Sequence, residues 1–174
     1  MLVGEKVDLR PVTVTDLDLL ESWSNDPAVE SEYGMFGLQP SGRMQRAFPE
    51  TGLLSDNGGT LIVATKEGEI AGRLTYRRVA HGPWESSRAY QIGITLAPMH
   101  RGKGYGAEAQ RLLAAYLFAT YPIERVEAET DVTNVGEQRS LERAGFTHEG
   151  VLRRAQFRNG AWHDLMMYSK LRGE

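Results

Sequence analysis

Hydrophobic and polar positions alternate along much of this chain, and the period changes at a few sharp points. Glu5 to Val12 alternates with period two, sets Val7 and Leu9 on one face, and predicts a strand. Thr15-x-x-Asp18 then resembles a capping box ahead of a helix that turns Leu17, Leu20 and Trp23 inward and ends near Pro27. Residues 28–59 break the pattern, because Pro40, Gly42, Pro49, Gly52 and Asp56-Asn-Gly-Gly59 leave room only for a short helix around 43–48. A long irregular stretch inside a compact domain is usually functional or mobile. Leu61 to Thr65 and Glu69 to Val79 predict strands joined at Lys66-Glu-Gly-Glu69, followed by a loop over 81–87 with Trp84 at its centre. Tyr90 to Leu96 alternates again, with Tyr90, Ile92, Ile94 and Leu96 on one face and Gln91, Gly93 and Thr95 on the other, until Pro98 stops it.

From Ala109 the period becomes helical: apolar residues fall at 109, 112, 113, 116 and 117, as far as about Tyr121 and Pro122. Arg125 to Thr130 predicts a strand, Val135 to Ala144 a helix closed by Gly145, and 151–157 with 162–171 a hairpin about Asn159-Gly160. This order predicts an α/β (α+β) domain built on a mixed sheet of about seven strands with helices on both faces. No repeat, linker or low-complexity segment divides it, so residues 1–174 are expected to form a single domain.

Composition narrows the function. A chain of 174 residues buries roughly 70% of its unfolded surface as one domain. A net charge of −3 removes the usual reason to expect nucleic acid. No apolar run approaches membrane-spanning length and the start of the chain lacks a signal-peptide apolar core, so a cytoplasmic protein with no membrane partner is expected. The absence of cysteine excludes disulfides, thiolate metal sites and a cysteine acyl-enzyme. His81, His100, His148 and His163 show no ligand spacing, so no metal is expected.

The chemistry concentrates in Arg101-Gly-Lys-Gly-Tyr-Gly106, between the strand ending at Leu96 and the helix that follows. Helix-start amides have no internal partner and carry partial positive charge, and glycines let successive amides converge on one anion. Arg101 and Lys103 would add mobile charge, so Arg101, Gly102, Lys103, Gly104, Tyr105 and Gly106 form a candidate diphosphate site. The alternative is a tight connection whose charges sit in water. A Walker A loop is excluded, since no Ser or Thr follows a Gly-Lys pair at the required place. A dinucleotide site, with Glu127 on the ribose, suits the glycines but not the four residues separating strand from first glycine.

Arg101-x-x-Gly104-x-Gly106 matches the acyl-CoA pyrophosphate loop of the GNAT acetyltransferases, and Leu96-x-Pro98 before it matches too. Asn134 and Leu141-Glu-Arg-Ala-Gly-Phe146 resemble that family's second signature. Glu149-Gly-Val-Leu-Arg153 and Asn159-Gly through Trp162-His-Asp to Tyr168 resemble its RimJ/RimL-like branch, and the likeness runs from about Gly4 to Leu171. The resemblance implies the GNAT fold and transfer of an acetyl group from acetyl-CoA to a primary amine by direct attack in a ternary complex. It also implies that the strand carrying Gly93 bulges and splays from its neighbour, that Ile94, Leu96 and Asn134 line the pantetheine path, and that residues 28–59 wall the acceptor pocket. By the residues alone, Gly93 marks a bulge, a close approach, or a packing glycine under a large neighbour.

The chain departs from the family at the acid and base. Gln91 stands where a Glu is common, Leu141 where a Tyr can serve as acid, and Glu137 where Ser or Ala is usual. Glu137 and Gln91 are therefore the catalytic candidates, although Asn134-x-x-Glu137 is also a capping box that needs no ligand. These departures keep open a non-catalytic acyl-CoA sensor or scaffold, besides the remote dinucleotide-binding reading. Between Pro11 and Gly42 there is no Lys or Arg, while Asp16, Asp18, Glu21, Asp26, Glu30 and Glu32 are all acidic. Acids near an acceptor cleft attract a cation, so Glu30, Glu32, Tyr33 and Trp84 are expected to bind a cationic acceptor, a small-molecule amine or a peptide N-terminus. The sequence leaves a homodimer open.

Overall fold

The computed structural model describes residues 1–174. In chain order the elements are β1 (Leu2–Val3), β2 (Val7–Pro11), α1 (Leu17–Trp23), α2 (Pro27–Gly34), α3 (Arg43–Thr51), β3 (Leu54–Ser55), β4 (Gly58–Thr65), β5 (Ile70–Ala80), β6 (Arg88–Leu96), α4 (Tyr105–Thr120), β7 (Arg125–Asp131), α5 (Val135–Arg143), β8 (Thr147–Arg158) and β9 (Ala161–Leu171). They form one sheet in the order β1-β2-β4-β5-β6-β7-β9-β8, with β3 paired to β4 at its side. The two strands beyond the expected seven, β1 and β3, hold two residues each, too few for any periodicity.

Alternation along the central strands divides the interior in two. Leu61 and Val63 of β4 enter a core shared with Leu113, Leu117 and Leu141 of α4 and α5. Ile62 and Ala64 enter a smaller core with Leu17, Leu20, Trp23 and Val29 of α1 and α2. Helices therefore cover both faces. No helix is long and apolar enough to cross a membrane.

Within residues 28–59 the expected irregularity gives way to α2. Asp26 accepts a hydrogen bond from the Ala28 amide at 2.8 Å and Pro27 opens the helix, the pairing of cap and first-turn proline that starts helices. The helix breaks at Ser31, whose φ of 59° and ψ of −179° are not helical.

Only β6 and β7 run parallel, and only from Tyr90–Ile92 against Val126–Ala128. Beyond Ile92, β6 stays on β5 as far as Leu96 while β7 stays on β9 as far as Asp131. Each strand keeps its other partner, so a gap opens between them at Gly93. The register of β6 on β5 is continuous through Gly93↔Thr75, so the expected bulge is absent. Nor is Gly93 packed beneath a large side chain, since a Cβ there would meet only Thr75 Oγ1, at 3.3 Å. One parallel pair in an otherwise antiparallel sheet also removes the dinucleotide-binding reading, which needs successive parallel βα units. Glu127, its would-be ribose ligand, is buried between Arg125 and His81.

Candidate active site

The gap between β6 and β7 opens into a cleft of about 1110 Å³ that passes through the sheet. Ile94, Leu96, Ala128 and Thr130 line it from the α4–α5 face, and Gly93, Thr95, Glu129 and Asp131 from the α1–α3 face. Two molecules can thus enter from opposite sides and meet at the splay.

The glycine turn lies at one mouth. Gly102 and Gly104 have φ of 75° and 83°, the left-handed conformation that glycine adopts without strain. From Gly102 to Ala107 no backbone amide donates to a protein acceptor. Gly106 allows α4 to approach α5, since a Cβ there would lie 2.8 Å from Ser140 Oγ. These unpaired amides stand at the start of a helix of 16 residues, where an anion is favoured.

The cations of the turn are not where the sequence put them. The Arg101 guanidinium donates to the carbonyls of Leu96 (2.9 Å), Ala28 (3.1 Å) and Val29 (2.6 Å), so it clasps β6 to α2 rather than moving freely. Lys103 lies outside the cleft, with Nζ 6.0 Å from the centre of the Tyr105 ring. Arg101 still lines the cleft, and Arg139 and Arg143 of α5 join it there; the sequence had shown Arg143 only within the Leu141–Phe146 signature and Arg139 not at all.

Asn134 caps α5, accepting from the Glu137 amide at 3.2 Å. The box is only half formed, because the Asn134 amide donates to Asp131 O and the Glu137 carboxylate turns to the Gln110 side-chain amide. Burial pushes the Glu137 carboxyl up to about 8, with the Gln110 hydrogen bond opposing the shift. Asn134, Glu137 and Ser140 line the cleft, and Gln110, fully buried on α4, holds Glu137 from behind.

On the opposite face Gln91 is buried in the cleft wall, with no hydrogen that can titrate. Glu129 of β7 lies beyond the end of the β6–β7 pairing, lines the cleft and has no hydrogen-bond or ion-pair partner. The sequence reading missed it: in a strand of alternating residues, Glu129 looks like Glu127. Asp131 is fully engaged, by Thr133, His163 and the buried Arg158. Burial works against its charged form, but the bonds from Thr133 and Arg158 hold its carboxyl at about 2.

The acidic stretch serves mainly to tie the helices down. Asp16 pairs with Arg10, Glu21 accepts from the amides of Arg43 and Met44, and Asp26 caps α2. Glu30 lines the cleft but pairs with Arg73; burial raises its carboxyl above the ordinary range, with Arg73 opposing. Glu32 is exposed and outside the cleft, because the break at Ser31 turns the chain there. Tyr33 does line it, with its hydroxyl on Thr133 O at 3.4 Å and its ring 5.7 Å from the Arg158 guanidinium. Trp84 is 75% exposed and does not reach the cleft. It sits before the first residue of β6, whereas the glycine turn follows the last, about 30 Å away along a nine-residue strand.

Residues 6–147 match the Acetyltransferase (GNAT) domain, most of the chain. YjcK, a probable N-acetyltransferase of Bacillus subtilis, is 33% identical over 103 residues, 59% of this chain; the match spans about half of YjcK's length (55%). The spermidine N-acetyltransferase of Vibrio cholerae, solved with CoA and spermine, superposes with a TM-score of 0.80 at 19% identity over 95% of both chains. RimL, a ribosomal L7/L12 alpha-N-protein acetyltransferase solved with coenzyme A, gives 0.80 at 21% identity over 97% of this chain and 96% of its own.

Proposed function

This chain belongs to the GNAT acetyltransferases, and on that premise we propose that it transfers an acetyl group from acetyl-CoA to a primary amine by direct attack within the through-sheet cleft. The observation that carries the reading is the meeting of two openings at one gap: unpaired amides from Gly102 to Ala107 at one mouth, an unpartnered carboxylate, Glu129, at the other. Those amides, with Arg139 nearby, suit the diphosphate of CoA, and Ile94, Leu96 and Asn134 suit the pantetheine arm. Acetyl-CoA supplies a thioester whose acetyl carbon the amine attacks, with the CoA thiolate as leaving group.

The chain's own groups divide the proton work. An alkylamine with pKa about 10.4 is neutral in only about one molecule per thousand near pH 7, so a base is needed. Glu129 accepts the ammonium proton at a carboxylate oxygen, directly or through water. On the other face Gln110 donates to Glu137 Oε1, so Oε2 holds the proton that a carboxyl titrating near 8 retains at neutral pH. That proton goes to the thiolate, and the second proton that the amine nitrogen loses as the amide forms passes through water to restore Glu137. The Ala97 amide donates to Ala71 O on β5, so by strand alternation the Leu96 N–H faces the gap, where it can meet charge developing on the carbonyl oxygen. An acid and a base away from the family's usual positions weigh against a non-catalytic sensor.

The acceptors of the two solved neighbours, spermidine and a ribosomal-protein N-terminus, support a cationic amine here. Glu129, rather than the paired Glu30, is then the carboxylate that meets it. The test is thiol release from acetyl-CoA over spermidine, short peptides and aminoglycoside-like amines, with mass spectrometry for products heavier by an acetyl group. Turnover with at least one amine, lowered about 100-fold by Glu129→Gln, is the expected result. Unchanged turnover in that variant removes Glu129 from the chemistry.

A further inference from the structure

A second, smaller pocket of about 250 Å³ adjoins the glycine turn on the side away from the splay. Glu5, Lys6, Gly104, Ala107, Glu108, Arg111 and Arg143 line it. Gly104, Ala107 and Arg143 also line the main cleft, so the two spaces share a wall, and that wall carries the unpaired amides.

The charge in this pocket is one-sided once Glu108 is accounted for. Its buried carboxylate accepts from the amides of Glu5 (2.5 Å), Lys6 (2.8 Å) and Val7 (3.2 Å), which fixes the turn between β1 and β2. Gly4 completes that turn, donating to Val7 O at 3.1 Å, and a Cβ on Gly4 would come within 2.7 Å of the same carboxylate. The turn holds Lys6 over the loop: its Nζ lies 3.1 Å from where a Cβ on Gly104 would stand. Arg143 reaches the pocket from the last turn of α5, and Arg111 from α4, 3.8 Å from Glu108. Neither Lys6 nor Arg143 has an ion-pair partner in the protein, and Glu5 is the one acid facing them that is not engaged.

The geometry points to this pocket as the subsite for the 3′-phosphate of CoA, held by Lys6 and Arg143 with Arg111 at its edge. The inference rests on the acyl-CoA reading above. A ribose attached to a diphosphate on the amides of Gly102 to Ala107 would lie beside this pocket, which shares Gly104 and Ala107 with that wall. A phosphate on that ribose then meets three cations in a concave site, where a dianion is attracted far more strongly than on open surface. Lys6 comes from a segment more than ninety residues before the turn, and Glu108 acts as a positioning residue for it.

CoA and 3′-dephospho-CoA differ by that single group, so calorimetric titration of each into the protein tests the assignment without an acceptor. The wild type is expected to bind CoA at least tenfold more tightly than 3′-dephospho-CoA. Lys6→Ala and Arg143→Ala, both at exposed positions, should each weaken CoA by about tenfold and leave 3′-dephospho-CoA nearly unchanged. Equal affinity of the wild type for the two compounds overturns the subsite. A loss of both affinities by the same factor also overturns it, because the cations would then serve the diphosphate. If neither compound binds, the acyl-CoA reading itself fails.

Discussion

Glu137 shows how one side chain can be set by its surroundings rather than by its type. In an unfolded chain a glutamate titrates near 4.3, whereas burial in the fold moves Glu137 up to about 8. Below the unfolded value the carboxyl is neutral in both states and its contribution to stability is fully present. As pH rises from about 4 to about 8 the unfolded chain releases its proton first, so that contribution is progressively lost. Glu137→Gln keeps an acceptor for Gln110 and leaves the cap intact, since the cap uses the residue's backbone. The variant should therefore gain melting temperature relative to the wild type as pH goes from 5 to 9, and lose kcat by about 100-fold. A constant melting difference across that range would mean that the carboxyl titrates normally. Gly104→Val makes the companion case in the turn. With φ at 83° and Lys6 Nζ close by, a valine is strained by about 1–2 kcal/mol, and KM for acetyl-CoA should rise at least tenfold. An unchanged KM in the folded variant would take the diphosphate off this turn.

At the scale of elements, α2 is held by polar ties more than by packing. It buries Val29, but Arg101 bonds its carbonyls and Glu30 pairs with Arg73 of β5. Arg73 is only 14% exposed and one of its nitrogens already lacks a partner. Glu30→Gln would leave that guanidinium uncompensated, at a cost of about 3 kcal/mol, or about 6–12 °C in Tm for a domain of this size. If Tm moves by less than about 2 °C, the pair is solvent-screened and α2 is held by other contacts. The same polar ties explain why an acidic run without cations, which suggested an acceptor surface, is largely a set of caps and ion pairs.

For the molecule as a whole, the sheet separates a larger core beneath α4 and α5 from a smaller one beneath α1 to α3. Local stability follows buried apolar contact, so the two faces should open at different free energies. Hydrogen exchange is expected to be faster in α1–α3 than in the buried turns of α4. Added CoA should slow exchange chiefly in residues 101–107 and at the start of α5. Uniform exchange over both faces would show the domain to be one cooperative unit.

Period and chemistry along the chain were enough to determine the strands from Leu61 to Leu96, the helices α4 and α5, the Asn159-Gly160 hairpin and the glycine turn, because each depends on neighbours within a few residues. Pro27, taken as the end of α1, instead opens α2 with Asp26 as its cap, because a proline after a helix fits a stop as well as a start until the chain beyond it is placed. The partners of charges were not. Arg101 turned to three carbonyls, Glu30 to Arg73 and Glu137 away from its own cap, since an ion pair or hydrogen bond is decided by groups brought close from distant positions. The splay likewise belongs to no single strand: it arises because β6 holds to β5 and β7 to β9. Which of two similar acids is free was settled by the same contacts, Glu127 meeting Arg125 and His81 while Glu129 meets the gap. The sequence determined the glycine turn ahead of α4, the proposed anion site; only the tertiary structure decided which side chains remain unpaired around it, because a charge's partners in space are not encoded in its spacing along the chain.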